Sequence, residues 1–141
     1  MMFTERIILK VLFLPLIWIS SCKEDPAKDP YSDWQQITVL ASAYNSVGGQ
    51  GSGDPKITAW GDTLKPGVRS IAVSRDLIEK GLDYRTPVII EGFEGTFLVM
   101  DKMHPRWRNK IDIYMGEDRD KALKWGRRKV EICFPPPEKR N

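Results

Sequence analysis

Two aspartates stand at positions that packing disfavours. Asp101 directly follows the apolar run 97–100, and Asp112 lies between Ile111 and Ile113 in a pattern typical of a strand. Aspartate is depleted from strands and is costly to bury without a partner. Two carboxylates held close together in a partly desolvated site raise the pKa of one of them, which then serves as a general acid near neutral pH. We therefore predict Asp101 and Asp112 as a catalytic pair. The alternative is that Asp112 faces water and Asp101 opens a turn.

The histidine and cysteine content of the predicted domain argues against several classes of metal and catalytic site. His104 is the single histidine of the sequence, so a zinc site built from several imidazoles is excluded, and a Ser-His-Asp triad would depend on this one residue. It lies in the polar stretch 102–107 and is expected to be an exposed structural histidine. Cys133, in the apolar stretch 130–134, is expected to be a buried small hydrophobic residue. No metal and no cofactor are expected.

Charge and loop composition argue against nucleic acid and nucleotides as ligands. The chain carries 22 basic and 19 acidic residues, a net charge of +3, and lacks the concentrated basic face of a nucleic-acid-binding protein. The glycine-rich segment 45–54 lacks the GK[ST] ending of a phosphate-binding loop. We expect it to be a loop at the rim of the domain.

The elements that must position the two aspartates are short strands. Apolar alternation and β-branched residues predict strands, and two charged stretches predict short helices. The predicted strands are 37–44, 69–73, 87–90, 96–100, 110–114 and 129–134, and the predicted helices are 75–80 and 117–125. This inventory indicates one mainly β domain over residues 34–134, a compact barrel or sandwich, with a tail at 135–141.

Period-two alternation assigns faces to these strands. It places Ile111 and Ile113 in the core, together with Val130 and Ile132 of the last strand. Asp112 and Tyr114 then face a groove on the opposite side, and Asp101 is expected to approach Asp112 from the neighbouring strand.

The N-terminus predicts export and lipidation. Residues 1–21 place Arg6 and Lys10 before the apolar run 11–19 and end in two serines before Cys22, which is the layout of a signal peptide with a lipobox. The run is too short to span a bilayer. Cys22 is therefore the expected lipidation site, residues 22–33 a flexible tether, and the outer membrane of the cell envelope the expected location. An ordinary secreted protein is the alternative.

A series of different short motifs follows in order along the predicted domain. They are A-S-A-Y at 41–44, I-T-A-W-G at 57–61, G at 67 with I-A-V at 71–73, V-M-D at 99–101, K-I-D-I-Y at 110–114 and G-R-R at 126–128. The most specific is the eleven-residue offset from Asp101 to Asp112, followed at once by Ile113 and Tyr114. In these motifs the segment 41–134 resembles the 3D domain, named for three aspartates and found in membrane-bound lytic transglycosylases and in small cell-wall proteins.

The resemblance implies a six-stranded double-psi β-barrel and cleavage of the β-1,4 bond between N-acetylmuramic acid and N-acetylglucosamine in peptidoglycan glycan strands. Asp112 would donate a proton to the leaving oxygen, then accept one from the muramic 6-hydroxyl as this attacks its own anomeric carbon. Asp101 would orient Asp112 and tune its pKa, while Tyr44, Thr58 and Tyr114 would contact the glycan. Lytic transglycosylases of this type carry a second domain beside the cleft, and here a homodimer could supply that wall.

Two departures from the family pattern keep other functions open. Ser74 stands where the family has its first aspartate, with Asp76 two residues later, and the bulky segment 102–105 replaces a glycine-rich loop. A non-catalytic peptidoglycan-binding or wall-loosening barrel is therefore the alternative. A third hypothesis is a structural envelope lipoprotein in which the aspartates only hold barrel loops.

Overall fold

The protein forms a closed six-stranded barrel with two short helices in a computed structural model that describes residues 29–47 and 53–139. The signal peptide, Cys22 and most of the tether lie outside the described residues, so the lipidation hypothesis stays a prediction. The strands are β1 (Gln35–Tyr44), β2 (Ser70–Val73), β3 (Pro87–Ile90), β4 (Thr96–Lys102), β5 (Lys110–Tyr114) and β6 (Arg128–Phe134). The helices are α1 (Arg75–Glu79) and α2 (Arg119–Trp125), and a 3₁₀ turn spans Pro137–Lys139.

The strand order around the barrel is β1-β5-β2-β4-β3-β6. The β1–β5 and β2–β4 pairs are parallel, and the remaining pairs are antiparallel. The connection from β1 to β2 therefore passes β5, and the connection from β4 to β5 passes β2. This pair of crossovers in a closed barrel confirms the predicted double-psi β-barrel.

The barrel core is formed by the inward-facing positions of the strands. Ile111 and Ile113 of β5 are at most 1% exposed, and Val130 and Ile132 of β6 at most 4%, which confirms the predicted core face. Closing the sheet buries these aliphatic side chains without exposing an unpaired strand edge. The same alternation contradicts one expectation. Cys133 lies between two buried residues of β6 and is partly exposed on the outer face, not buried.

Two element ends differ from the sequence prediction for local reasons. Strand β4 continues through Asp101 and Lys102, because both residues pair with β2. Helix α2 begins at Arg119, since the Asp118 carboxylate accepts a hydrogen bond from the Lys121 N–H at 2.8 Å and so caps the helix. No helix within 29–47 or 53–139 is long and apolar enough to cross a membrane.

Candidate functional site

An open groove of about 1000 Å³ runs across one side of the barrel. It is lined by the end of β1, by Ala72 of β2, by Lys110 and Asp112 of β5, by most of the segment 101–107 and by the end of α2. Gly126 adopts a φ of 69°, in the left-handed region that glycine tolerates, and so ends α2. Gly126 and the following Arg127 both line the groove.

Asp112 lines the groove with its side chain 25% exposed. Ser42 of β1 is its Cα partner across the parallel pair, and the Ser42 hydroxyl donates a hydrogen bond to Asp112 Oδ1. Burial raises the pKa of Asp112 above its ordinary value, against the Ser42 hydrogen bond and the positive charges of Lys110 and Arg127, which act to lower it. Desolvation disfavours the charged form of a carboxyl group. Asp112 therefore holds its proton more strongly than a surface aspartate does.

Asp101 lines the same groove but does not lie on the strand beside Asp112. Ala72 of β2 is the Cα partner of both aspartates, so β2 separates β4 from β5 and the prediction of neighbouring strands is wrong. Two strand spacings put the two Cα atoms about 10 Å apart. The register of β4 against β2 shifts between Ile71 and Ala72, and this bulge brings Asp101 opposite Ala72. A bulge of this kind re-aims a side chain.

The contacts of Asp101 are those of a residue that holds a loop. Its Oδ1 accepts hydrogen bonds from the Ala59 N–H at 2.7 Å and from the Lys102 N–H at 2.8 Å. The influences that set the pKa of Asp112 are burial, Ser42, Lys110 and Arg127. The raised pKa of Asp112 thus comes from desolvation and not from a paired carboxylate, which corrects the physical argument made from the sequence.

Of the three predicted glycan-contacting residues, Tyr44 alone lines the groove. Burial raises the pKa of its phenol, and the charges of Asp101 and Asp112 raise it further. Both carboxylates therefore act on the same side chain, although they stand on different strands.

Tyr114 and Thr58 are buried and do not line the groove. Tyr114 is 4% exposed, contacts the Tyr44 ring at 5.4 Å between centroids, and shares a 2.9 Å hydrogen bond with the Ser46 hydroxyl. Thr58 is 5% exposed, and its Oγ1 accepts a hydrogen bond from the Asp62 N–H. The expectation that Tyr114 faces the groove is wrong, because its ring packs into a small apolar cluster with Leu64 and Met100.

Sequence reasoning missed Lys110. This lysine shares the outward face of β5 with Asp112, yet it is only 5% exposed. Its Nζ lies 4.1 Å from the centroid of the Trp107 ring and 3.9 Å from Asp112 Oδ1. The signal available in the sequence was a lysine two residues before Asp112 in an otherwise apolar strand.

The departures from the family pattern have structural roles. The Ser74 side chain is buried, and its hydroxyl accepts a 3.0 Å hydrogen bond from the Lys110 N–H. Asp76 does not line the groove, and it accepts a hydrogen bond from the Asn109 N–H. His104 is exposed at the groove rim, as expected, and its Nδ1 accepts a hydrogen bond from the Arg106 N–H. The part of the chain that the structure describes contains no cluster of three or more histidine, cysteine or acidic residues that could hold a metal ion.

Among the solved structures that resemble this chain at low identity are two expansins. The apo expansin of Clavibacter michiganensis matches with 18% identity and a TM-score of 0.47, over 71% of this chain and 50% of that one. A mutant C. michiganensis expansin in complex with cellohexaose matches with 17% identity and a TM-score of 0.43, over 72% of this chain and 50% of that one. The chain thus spans about half the length of these expansins. No family model matches the sequence, and no curated protein matches it significantly.

Proposed function

We propose that this protein is a barrel module of the cell envelope that binds glycan strands of the cell wall in the groove above β1 and β5. The observation that carries the proposal is the groove itself, open and about 1000 Å³ in volume, with the 25% exposed Asp112 side chain in its lining. That volume is at the upper end of the range of ligand sites. An open groove admits a polymer that enters at one end and leaves at the other.

The chemistry of the lining suits a polysaccharide. Tyr44 and Trp107 supply aromatic faces, while Asp112, Lys102 and Arg127 supply hydrogen-bonding groups. Sugars present hydroxyl groups at their edges and apolar C–H faces, so a site that mixes aromatic and charged side chains matches both. The resemblance to the 3D domain and the predicted lipid anchor both favour peptidoglycan as the polymer.

A pull-down on purified peptidoglycan tests this proposal. We expect the wild type to co-sediment with the insoluble wall, and Asp112→Asn to change its affinity, because an amide replaces the carboxyl group in the groove. Asp120→Asn, in the first turn of α2 and outside the groove, is the matched control and should bind like the wild type. Failure of the wild type to bind any wall glycan would remove the proposal.

One observation favours cleavage of the strand as a second candidate function. Burial raises the pKa of Asp112, and a quarter of its side chain stays open to the groove. A carboxyl group that keeps its proton can donate it to the glycosidic oxygen as the bond to the anomeric carbon breaks. The carboxylate left behind then accepts the proton of the muramic 6-hydroxyl, whose oxygen bonds to the same anomeric carbon. No water is consumed, and a 1,6-anhydro end is formed.

Mass spectrometry of digested peptidoglycan separates binding from cleavage. If the protein is a lytic transglycosylase, 1,6-anhydromuropeptides accumulate with the wild type. Asp112→Asn should then reduce their release about 10²- to 10⁴-fold, the usual cost of losing a positioned general acid. A folded wild type that binds the wall and releases no anhydro product supports the binding module and excludes the enzyme.

A further inference from the structure

Lys110 is a nearly buried cation among the residues that line the groove. Its side chain is 6% exposed, and β5 places it two residues from Asp112 on the same face. Ser74 fixes its backbone on both sides, because the Ser74 hydroxyl accepts from the Lys110 N–H and the Ser74 N–H donates to the Lys110 carbonyl. Burial of an ammonium group is costly unless the group is paired and hydrogen-bonded.

The partners of this ammonium group leave its hydrogen-bonding capacity unused. Nζ lies against the Trp107 ring, and its distance to Asp112 Oδ1 is 3.9 Å, too long for a hydrogen bond. Within the described residues Nζ donates no hydrogen bond, although an ammonium group has three N–H donors. Nζ is therefore positioned to donate hydrogen bonds to a ligand in the groove.

The residues that line the groove include more basic than acidic side chains. Lys102, Arg106, Lys110 and Arg127 line it, against the three carboxylates Asp54, Asp101 and Asp112. The Asp101 carboxylate already accepts hydrogen bonds from two backbone N–H groups, and Asp112 accepts one from the Ser42 hydroxyl. Lys110 Nζ lies 3.9 Å from Asp112 Oδ1, and Arg127 lines the same groove.

We propose that the groove selects glycans that carry a carboxylate, and that Lys110 and Arg127 receive this carboxylate beside Asp112. The inference rests on the proposed glycan-binding function and narrows its substrate class. The carboxylate can come from the lactyl group of muramic acid in strands freed of stem peptides, or from a uronic acid. A carboxylate offers the acceptor oxygens that the buried ammonium lacks, and charge-assisted hydrogen bonds are the stronger kind.

Calorimetric titration of the purified chain with three oligosaccharides of equal length tests this proposal. The neutral probe is a chito-oligosaccharide, and the acidic probes are a peptide-free murein oligosaccharide and an oligogalacturonate. We expect at least one acidic probe to bind about tenfold more tightly than the neutral one, the equivalent of about 1.4 kcal/mol, at low salt. The acidic probe that gains affinity identifies the source of the carboxylate.

Point variants test which side chains produce the preference for an acidic glycan. Lys110→Met keeps an aliphatic side chain against Trp107 but removes the charge, and should lose the tenfold preference for the acidic probe. Lys110→Arg should retain the preference. Lys124→Met, on α2 and outside the groove, is the matched control. If Lys110→Met does not fold, as judged by circular dichroism, the exposed Arg127→Gln decides, and it should weaken the preference.

The outcomes distinguish this inference from the proposed function. Equal affinity for all three probes, a preference that survives in folded Lys110→Met, or a preference that is undiminished in Arg127→Gln overturns the carboxylate site and leaves glycan binding standing. Absence of binding to every probe overturns glycan binding as well.

Discussion

The hydroxyl of Ser42 offers the most direct test of what controls Asp112. It donates a hydrogen bond to Asp112 Oδ1 from the neighbouring strand, and Ser42 is 8% exposed, so water does not readily replace it. A hydrogen bond to a charged group contributes about 1.5–3 kcal/mol. Because a quarter of the Asp112 side chain is exposed, we take the lower end, about 1.5 kcal/mol.

Ser42→Ala should therefore shift the protonation equilibrium of Asp112 about tenfold towards the neutral acid, since one pKa unit corresponds to about 1.4 kcal/mol. The pKa of Asp112, already raised by burial, should rise further. The variant should also be less stable above this pKa, where the carboxylate is charged, with a melting temperature about 6–12 °C lower. The difference should shrink as the pH falls and the carboxyl group becomes protonated.

A carboxyl ¹³C NMR titration of aspartate-labelled protein measures this shift directly, and a melting curve at each pH measures the loss of stability. Ser70→Ala is the matched control, because Ser70 is also a buried strand serine but makes no hydrogen bond to Asp112. If the Asp112 resonance titrates identically in the wild type and in Ser42→Ala, the hydrogen bond does not control its protonation and the reasoning fails.

Three further predictions follow from the sequence and the site. Cys22→Ser should abolish incorporation of a fatty-acid probe and move the protein out of the membrane fraction; persistent labelling would contradict the lipobox. Asp112→Asn should flatten the pH dependence of stability. The raised folded-state pKa makes wild-type unfolding free energy increase as the pH falls through that pKa towards the ordinary aspartate value, and a chemical-denaturation series without this slope difference would argue against it. Asp101→Asn keeps an acceptor for the Ala59 N–H and should bind glycan as the wild type does, whereas Asp101→Ala should lower the melting temperature by several degrees; equal melting curves for the two variants would count against a loop-holding role.

The local pattern of the sequence was sufficient for the elements and the core. Strands β3 and β5 have the predicted bounds, because their apolar runs end at clear turn residues. The alternation around Asp112 correctly separated it from Ile111 and Ile113, since a strand has a fixed period of two. Strand bounds and the alternation of faces are short-range properties, so a few neighbouring residues are enough to predict them.

The contacts within the site depend on the order of the strands around the barrel and on the bulge in β4. The local sequence pattern indicates neither of these. Nothing in the spacing of Asp101 and Asp112 indicates that β2 lies between their strands, because β2 precedes both in the chain. The bulge in β4 also breaks the alternation, so that Val99 and Met100 are both buried and Asp101 turns towards the groove. The burial of Lys110 depends on Trp107, which a loop brings over it.

The separation of the two aspartates bears on which chemistry is open to this site. Hydrolysis of a glycoside commonly uses two carboxyl groups, one as acid and one as nucleophile or base. Here the second candidate, Asp101, has Oδ1 occupied by two backbone N–H groups, and burial alone raises the pKa of Asp112. A single carboxyl group with a raised pKa suits a reaction whose nucleophile is already part of the substrate, since an intramolecular group carries a high effective concentration. If the groove cleaves glycan, the geometry therefore favours the internal attack that leaves an anhydro end over attack by water.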